Sequence, residues 1–191
     1  MKHRPAYYWI NALTYYRFIM GLVMIVLAIT LQLQIFKWLL PISFFTDLID
    51  GTLARKYKVE TVRGAKLDSI SDDLTVAAAI IGMFLFKQDF ALQQFNILLI
   101  ILALFLVQTI YAFLTYRRAT SFHTYLAKMA AILQGCFFIL LFLLPEPVMF
   151  LFYATAFVTS LELIEEIIII KFLKDWRTNV KGLYWVVRRK V

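Results

Sequence analysis

The stretch Asp47-Leu48-Ile49-Asp50-Gly51-Thr52-Leu53-Ala54-Arg55, followed after eight residues by Gly64-Ala65-Lys66-Leu67-Asp68-Ser69-Ile70-Ser71-Asp72, decides how this chain folds. Four aspartates stand in it, and both halves run into long apolar tracts. Carboxylates at membrane depth are costly, and where they occur they point to function. Their spacing is helical. Asp47 and Asp50 are three apart, Asp68 and Asp72 four apart, so each pair shares one helix face. The polar stretch Lys56 to Arg63 joins the two helices, which must run antiparallel. Counted from that turn, Asp50 comes level with Asp68 and Asp47 with Asp72. All four then converge about 6–12 Å below the helix ends at 1.5 Å per residue. Asp73 points about 100° away from Asp72 and reads as a structural or capping residue.

The rest of the chain supports a membrane setting. It has 191 residues, of which 62% are hydrophobic, and its mean hydropathy is +0.78. A soluble domain is about 45–50% apolar, so this excess does not fit one small water-soluble core. About 20 apolar residues cross a bilayer as a helix. Runs near 14–33, 37–55, 67–87, 94–116, 125–144 and 148–171 meet that length. The expectation is an all-α integral membrane protein with six transmembrane helices, forming a single domain over residues 1–191. Pro41 lies inside the second run, and Pro145 and Pro147 bracket the turn after the fifth.

The segment Tyr7-Tyr8-Trp9-Ile10, beside His3 and Arg4, reads as an N-terminal interfacial amphipathic helix. The net charge of +8 is explained by orientation rather than by nucleic acid. With six spans both termini share one side, and of the 20 Lys and Arg only Lys37 and Lys87 fall on the other. By the positive-inside rule the termini and the aspartates face the cytoplasm. The tail from Trp176 to Val191 mixes Trp and Tyr with Arg and Lys; it either touches anionic lipid or is solvated. Cys136 has no second cysteine to pair with and reads as a small buried hydrophobe.

Four close carboxylates repel one another unless a cation offsets them. Hard oxygen donors suit Mg²⁺ or Mn²⁺. Two such ions would polarise a phosphoryl group for in-line displacement, and a carboxylate outside their shell could take a proton from an attacking hydroxyl. Gly51 and Ala54 lie on the face of Asp47 and Asp50, where their small size admits either a nucleotide or a neighbouring helix.

The whole pattern resembles the motif D-x2-D-G-x2-A-R-x8-G-x3-D-x3-D of the CDP-alcohol phosphatidyltransferases, matched at Asp47, Asp50, Gly51, Ala54, Arg55, Gly64, Asp68 and Asp72. The resemblance implies that Asp47, Asp50 and Asp68 are metal ligands. It implies that Asp72 lies at the same centre and is the catalytic base. It sets Gly51, Ala54, Arg55 and Gly64 against the CDP group, together with the aspartates Asp47, Asp50 and Asp68. Asn11, Thr14 and Arg17 resemble the family's N-x2-T-x2-R stretch, which helps hold the nucleotide; Ile10 stands where a proline is usual. The implied reaction moves a phosphatidyl group from CDP-diacylglycerol to an acceptor alcohol in phospholipid biosynthesis, with CMP leaving. A homodimer is also implied, with the third and fourth spans as candidate contacts.

For the acceptor the candidates are Arg63, Arg117, Arg118 and Lys128, which suit a phosphate-bearing alcohol such as glycerol 3-phosphate. The stretch Ala127 to Gln134 loosely resembles the corresponding region of phosphatidylglycerophosphate synthases, with Ala127, Ala130 and Ala131 departing from it. Inositol phosphate, serine or a lipid alcohol is the alternative. His123 reads as an interfacial residue. Glu162, Glu165 and Glu166 either face the active-site cavity and pair with a base such as Lys128, or sit near the interface beside Lys171 and Lys174. A different class, a cation-dependent transporter, also places carboxylates in membrane helices; here no acid lies on a path to the far side.

Overall fold

The computed structural model describes the backbone of residues 4–57, 62–118, 120, 122–173, 175–177 and 180–188, and their side chains except those at 4–11, 47–57, 62–66, 68 and 69. Among the described residues the chain is helical, without a strand. Six long helices match the six apolar runs: α1 (Arg4–Ile29), α2 (Leu33–Tyr57), α3 (Val62–Phe86), α5 (Phe95–Tyr116), α6 (Tyr125–Leu143) and α7 (Met149–Phe172). Two short ones, α4 (Gln88–Gln93) and α8 (Leu183–Arg188), were not expected from the sequence. The aromatic N-terminal segment and the first apolar run form one continuous helix, α1, with no break to turn the former along a surface.

Among the described residues three helical segments are both long and apolar enough to cross a membrane, Ala12–Ile29, Phe95–Tyr116 and Tyr125–Leu143, and Leu33–Thr46 is a shorter apolar one. Charge separates α7 from these, because Glu162, Glu165 and Glu166 interrupt its apolar run. The outer surfaces are apolar. In Phe95–Tyr116 only 11% of the residues are buried, and Leu114 and Phe150 lie bare. In water such a surface would drive aggregation; against acyl chains it is matched. Cys136, expected inside, lies instead on an exposed face of α6.

The described chain divides into two compact units. One comprises Met1–Ala91 and Leu141–Pro145, the other Leu92–Leu140 and Glu146–Val191. In the first, α1 packs along α3 and α2. The close approach of α1 to α3 depends on Gly21, where an added Cβ would come 2.9 Å from the Leu74 Cβ. Phe36 lies against Gly82, and its ring meets Phe86 and Phe142 at 5.3 and 5.0 Å between centroids. The Lys87 ammonium donates to the carbonyls of Leu144 and Pro145 at 3.0 and 2.7 Å, satisfying acceptors left open just past the end of α6.

In the second unit α5 packs on α7, and α7 on α8. Antiparallel α6 meets α7 through Gln134 Nε2, which donates to Thr159 Oγ1 at 2.9 Å, and through the Phe137 and Phe152 rings. α5 ends on Arg117 in the left-handed region at φ 54°, its N–H bonded to the Phe113 carbonyl. An Arg in this cap position, normally a glycine's, meets the steric cost of that backbone and sets its charge at the helix exit. The tail is docked: the Val180 N–H donates to the Phe122 carbonyl at 2.7 Å, and Val186 is buried.

Replacing Gly21 by Val should force α1 from α3 and lower stability by about 1–3 kcal/mol, the usual range for overpacking. Thermal unfolding of the detergent-solubilised protein measures it, and an unchanged midpoint would contradict the close packing.

Candidate active site

α2 and α3 run antiparallel, and side chains above the aspartates set their register. The Ser43 and Thr75 hydroxyls lie 3.1 Å apart, and Phe36 rests on Gly82. Carried along the two helical backbones, this register brings position 50 opposite 68 and position 47 opposite 71, next to 72. The first is the levelling expected from counting outward from the turn, and the second lies one residue from it. The side chains of Asp47, Asp50, Gly51, Ala54, Arg55, Arg63, Gly64, Asp68 and Asn11 lie outside the described residues. Of the motif's acids, Asp72 is described.

Asp72 pairs with Arg17 of α1. The two partners differ sharply in exposure: the Arg17 side chain is 1% exposed and that of Asp72 45%. One face of the carboxylate is therefore held by a buried guanidinium while the other stays open. Arg17 thus lies beneath the motif's last aspartate, a contact that the sequence reading, which set it toward the nucleotide, did not foresee. An arginine inside an apolar run was the available signal, since a buried cation needs an anion close by. Thr14, one helical turn before Arg17, is also buried, as are Ser43, Ser71 and Thr75. These form a polar seam among α1, α2 and α3. Asp73 is exposed.

A hard divalent cation fits this donor set by its chemistry: carboxylates on two helices, levelled by the observed register, offer only oxygen ligands. Among the described residues no three acids, histidines or cysteines form a metal-binding group, as follows from three of the four aspartates having side chains outside that set.

The glutamates of α7 have partners the sequence did not suggest. Glu166 is buried and accepts from Gln108 Nε2 at 2.6 Å and Thr120 Oγ1 at 2.8 Å. Glu165 accepts from the Leu183 N–H at 2.9 Å, and so caps the start of α8. These two tie α5, the α5–α6 loop and the tail to α7. Arg117 and Arg118 leave that loop exposed, with Arg118 5.6 Å above the Trp176 ring. Lys128 is exposed, its ammonium 5.6 Å above the Tyr125 ring. His123 is exposed at φ 51°.

The model of the CDP-alcohol phosphatidyltransferase family matches residues 9–162, and the chain belongs to that family, whose members are enzymes. With its apolar helices, it is an integral membrane protein. A curated relative, the CDP-diacylglycerol--glycerol-3-phosphate 3-phosphatidyltransferase of Rickettsia bellii (strain RML369-C), is 38% identical over 96 residues, 50% of this chain and 51% of the relative. The chain thus spans about half the length of the curated relative it matches. No solved structure matches it.

Replacing Glu166 by Ala would strand the Thr120 hydroxyl and leave the Gln108 amide with Thr120 Oγ1, 2.7 Å away, as its remaining acceptor, at about 1–3 kcal/mol for the stranded group. Glu166→Gln keeps an oxygen there and should cost less than half as much. Equal losses in the two variants, read from unfolding midpoints, would show that the network is not what Glu166 contributes.

Proposed function

We propose that this chain transfers a phosphatidyl group from CDP-diacylglycerol to glycerol 3-phosphate and releases CMP, working as one catalytic domain with its active site and both termini at the cytoplasmic face. The acceptor hydroxyl oxygen bonds to the β-phosphorus, and the bond from that phosphorus to the bridging oxygen of CMP breaks. Asp72 takes the hydroxyl proton. The observation that carries this reading is Asp72 itself. It occupies the final position of the motif, half-exposed, with Arg17 behind it to hold its direction. A positioned carboxylate of this kind contributes to catalysis through both orientation and proton transfer.

Asp47, Asp50 and Asp68, with Asp72 at the same centre, are the residues to hold one or two Mg²⁺ or Mn²⁺ ions. When bound, the ions supply charge stabilisation at the phosphoryl oxygens. Gly51, Ala54, Arg55 and Gly64 leave room and charge for the CDP group, and Thr14 and Asn11 lie one to two helical turns before Arg17 on α1. Arg63, Arg117 and Arg118 provide the positive charge that an acceptor phosphate would pair with. The family membership and the name of the Rickettsia bellii relative support the donor and the acceptor. We take the six long helices as six spans. The α3 and α5 faces are proposed as the contacts of a homodimer; α5 is almost bare within one chain.

The test is CMP release from CDP-diacylglycerol with Mg²⁺ in an acceptor screen. Glycerol 3-phosphate should support turnover, and Asp72→Asn should lower kcat by about 10²–10⁴-fold. Full turnover in Asp72→Asn would remove the assigned base. CMP release with serine or an inositol phosphate alone would move the acceptor, and none with any alcohol would return the aspartates to ion transport.

A further inference from the structure

Five side chains of the second unit form a continuous strip on its surface. The Lys128 ammonium stands 5.6 Å over the Tyr125 ring. Tyr125 meets Trp185 at 5.6 Å between centroids, and Trp185 meets Tyr184 at 5.6 Å. Arg188 closes the strip, its guanidinium 5.7 Å over the Tyr184 ring and donating to the Tyr184 hydroxyl at 2.9 Å. The order is cation, three aromatics, cation. Distant parts of the chain build it, α6 supplying Lys128 and Tyr125 and α8 the rest.

The strip is both open and rigid. Tyr125, Tyr184 and Trp185 are 58%, 62% and 43% exposed, too bare for rings in a core. Yet the backbone beneath is fastened. The Tyr125 N–H donates to the Lys181 carbonyl, the Leu183 N–H to Glu165, and Val186 on α8 is buried. Its location along α6 is equally telling. Met129 and Ile132, four and seven residues beyond Tyr125 on the same face, are exposed and apolar. The strip therefore lies where a lipid-facing helix side gives way to a polar end. Tyr and Trp favour that depth, and Lys and Arg beside them attract anionic headgroups.

We propose that Lys128, Tyr125, Trp185, Tyr184 and Arg188 form a docking strip for anionic phospholipids of the surrounding leaflet, their phosphates held between the two cations. The occupant is a bilayer lipid rather than the soluble acceptor. The cations stand at the two ends of an open row of rings, 43–62% exposed, a surface that suits a headgroup among its neighbours at the membrane interface. The inference rests on α6 spanning the membrane, and it is independent of which alcohol the enzyme uses.

The full chain is reconstituted in nanodiscs of phosphatidylcholine, alone or mixed with phosphatidylserine, with acyl chains brominated near the headgroup. Quenching assigned to Trp185 is the difference between the wild type and Trp185→Phe. It should be present in both discs and rise with phosphatidylserine. Arg188→Gln should weaken the phosphatidylserine preference about fivefold, the scale of one basic side chain at an anionic surface, with CMP release in pure phosphatidylcholine unchanged. Arg188→Glu should abolish the preference, and an unfolding midpoint verifies that each variant is folded. The proposal fails if Trp185→Phe quenches like the wild type, if phosphatidylserine changes nothing, or if the rise survives in both Arg188 variants. It also fails if glycerol 3-phosphate or inorganic phosphate shields Trp185 in discs without anionic lipid. Loss of CMP release with the lipid response intact would count against the proposed activity and leave the strip standing.

Discussion

A buried arginine has to be answered by an anion, and the pairing of Arg17 with Asp72 meets that demand in the first unit. Withdrawing a guanidinium from water is tolerable only with good partners. The pair joins α1 to the face of α3 that carries the motif's last aspartate. Gly21, one turn further along, lets the two helices come close enough for the pairing to form. The side chain assigned to proton transfer is thus oriented by a helix outside the core motif. A polar seam of Thr14, Ser43, Ser71 and Thr75 continues from it among the three helices.

The second unit solves a similar problem with neutral partners. Glu166 is surrounded by an amide and a hydroxyl, and Glu165 by a backbone N–H at the start of α8. A buried carboxylate with several donors can be accommodated where an isolated one cannot. Hydrogen bonds here do the fastening that apolar contact does elsewhere. Apolar packing completes it through Ala112, Phe122, Ile169, Ile170 and Val186.

The six helices were legible because apolar length is a strong and local signal; five runs returned within about five residues at each end, and the first was extended back to Arg4. The levelling of position 50 with 68, and of 47 with 72 to within one residue, was legible for the same reason: a short turn and a constant rise leave little freedom. What stayed hidden depended on contacts between distant segments. Nothing in the spacing of Arg17 says that it meets a residue 55 positions away. The glutamates of α7 suggested lysine partners by charge alone, but geometry supplied Gln108, Thr120 and the Leu183 amide. α8 was missed because six residues carry too little periodicity to register, and it is held in place by Glu165 and Val186. Cys136 was expected inside from the habits of soluble proteins, in which an apolar run is a buried run. Here the apolar exterior reverses that rule.

The Glu166 cluster also bears on how the chain is made. A helix with three acids partitions poorly into lipid alone, since an acidic residue at mid-helix costs about 2.5–3.5 kcal/mol even on insertion scales. Gln108 and Thr120, the groups that receive Glu166, precede it in the chain. They have left the ribosome before α7 does. Synthesis order therefore presents the acids of α7 with partners that are already made.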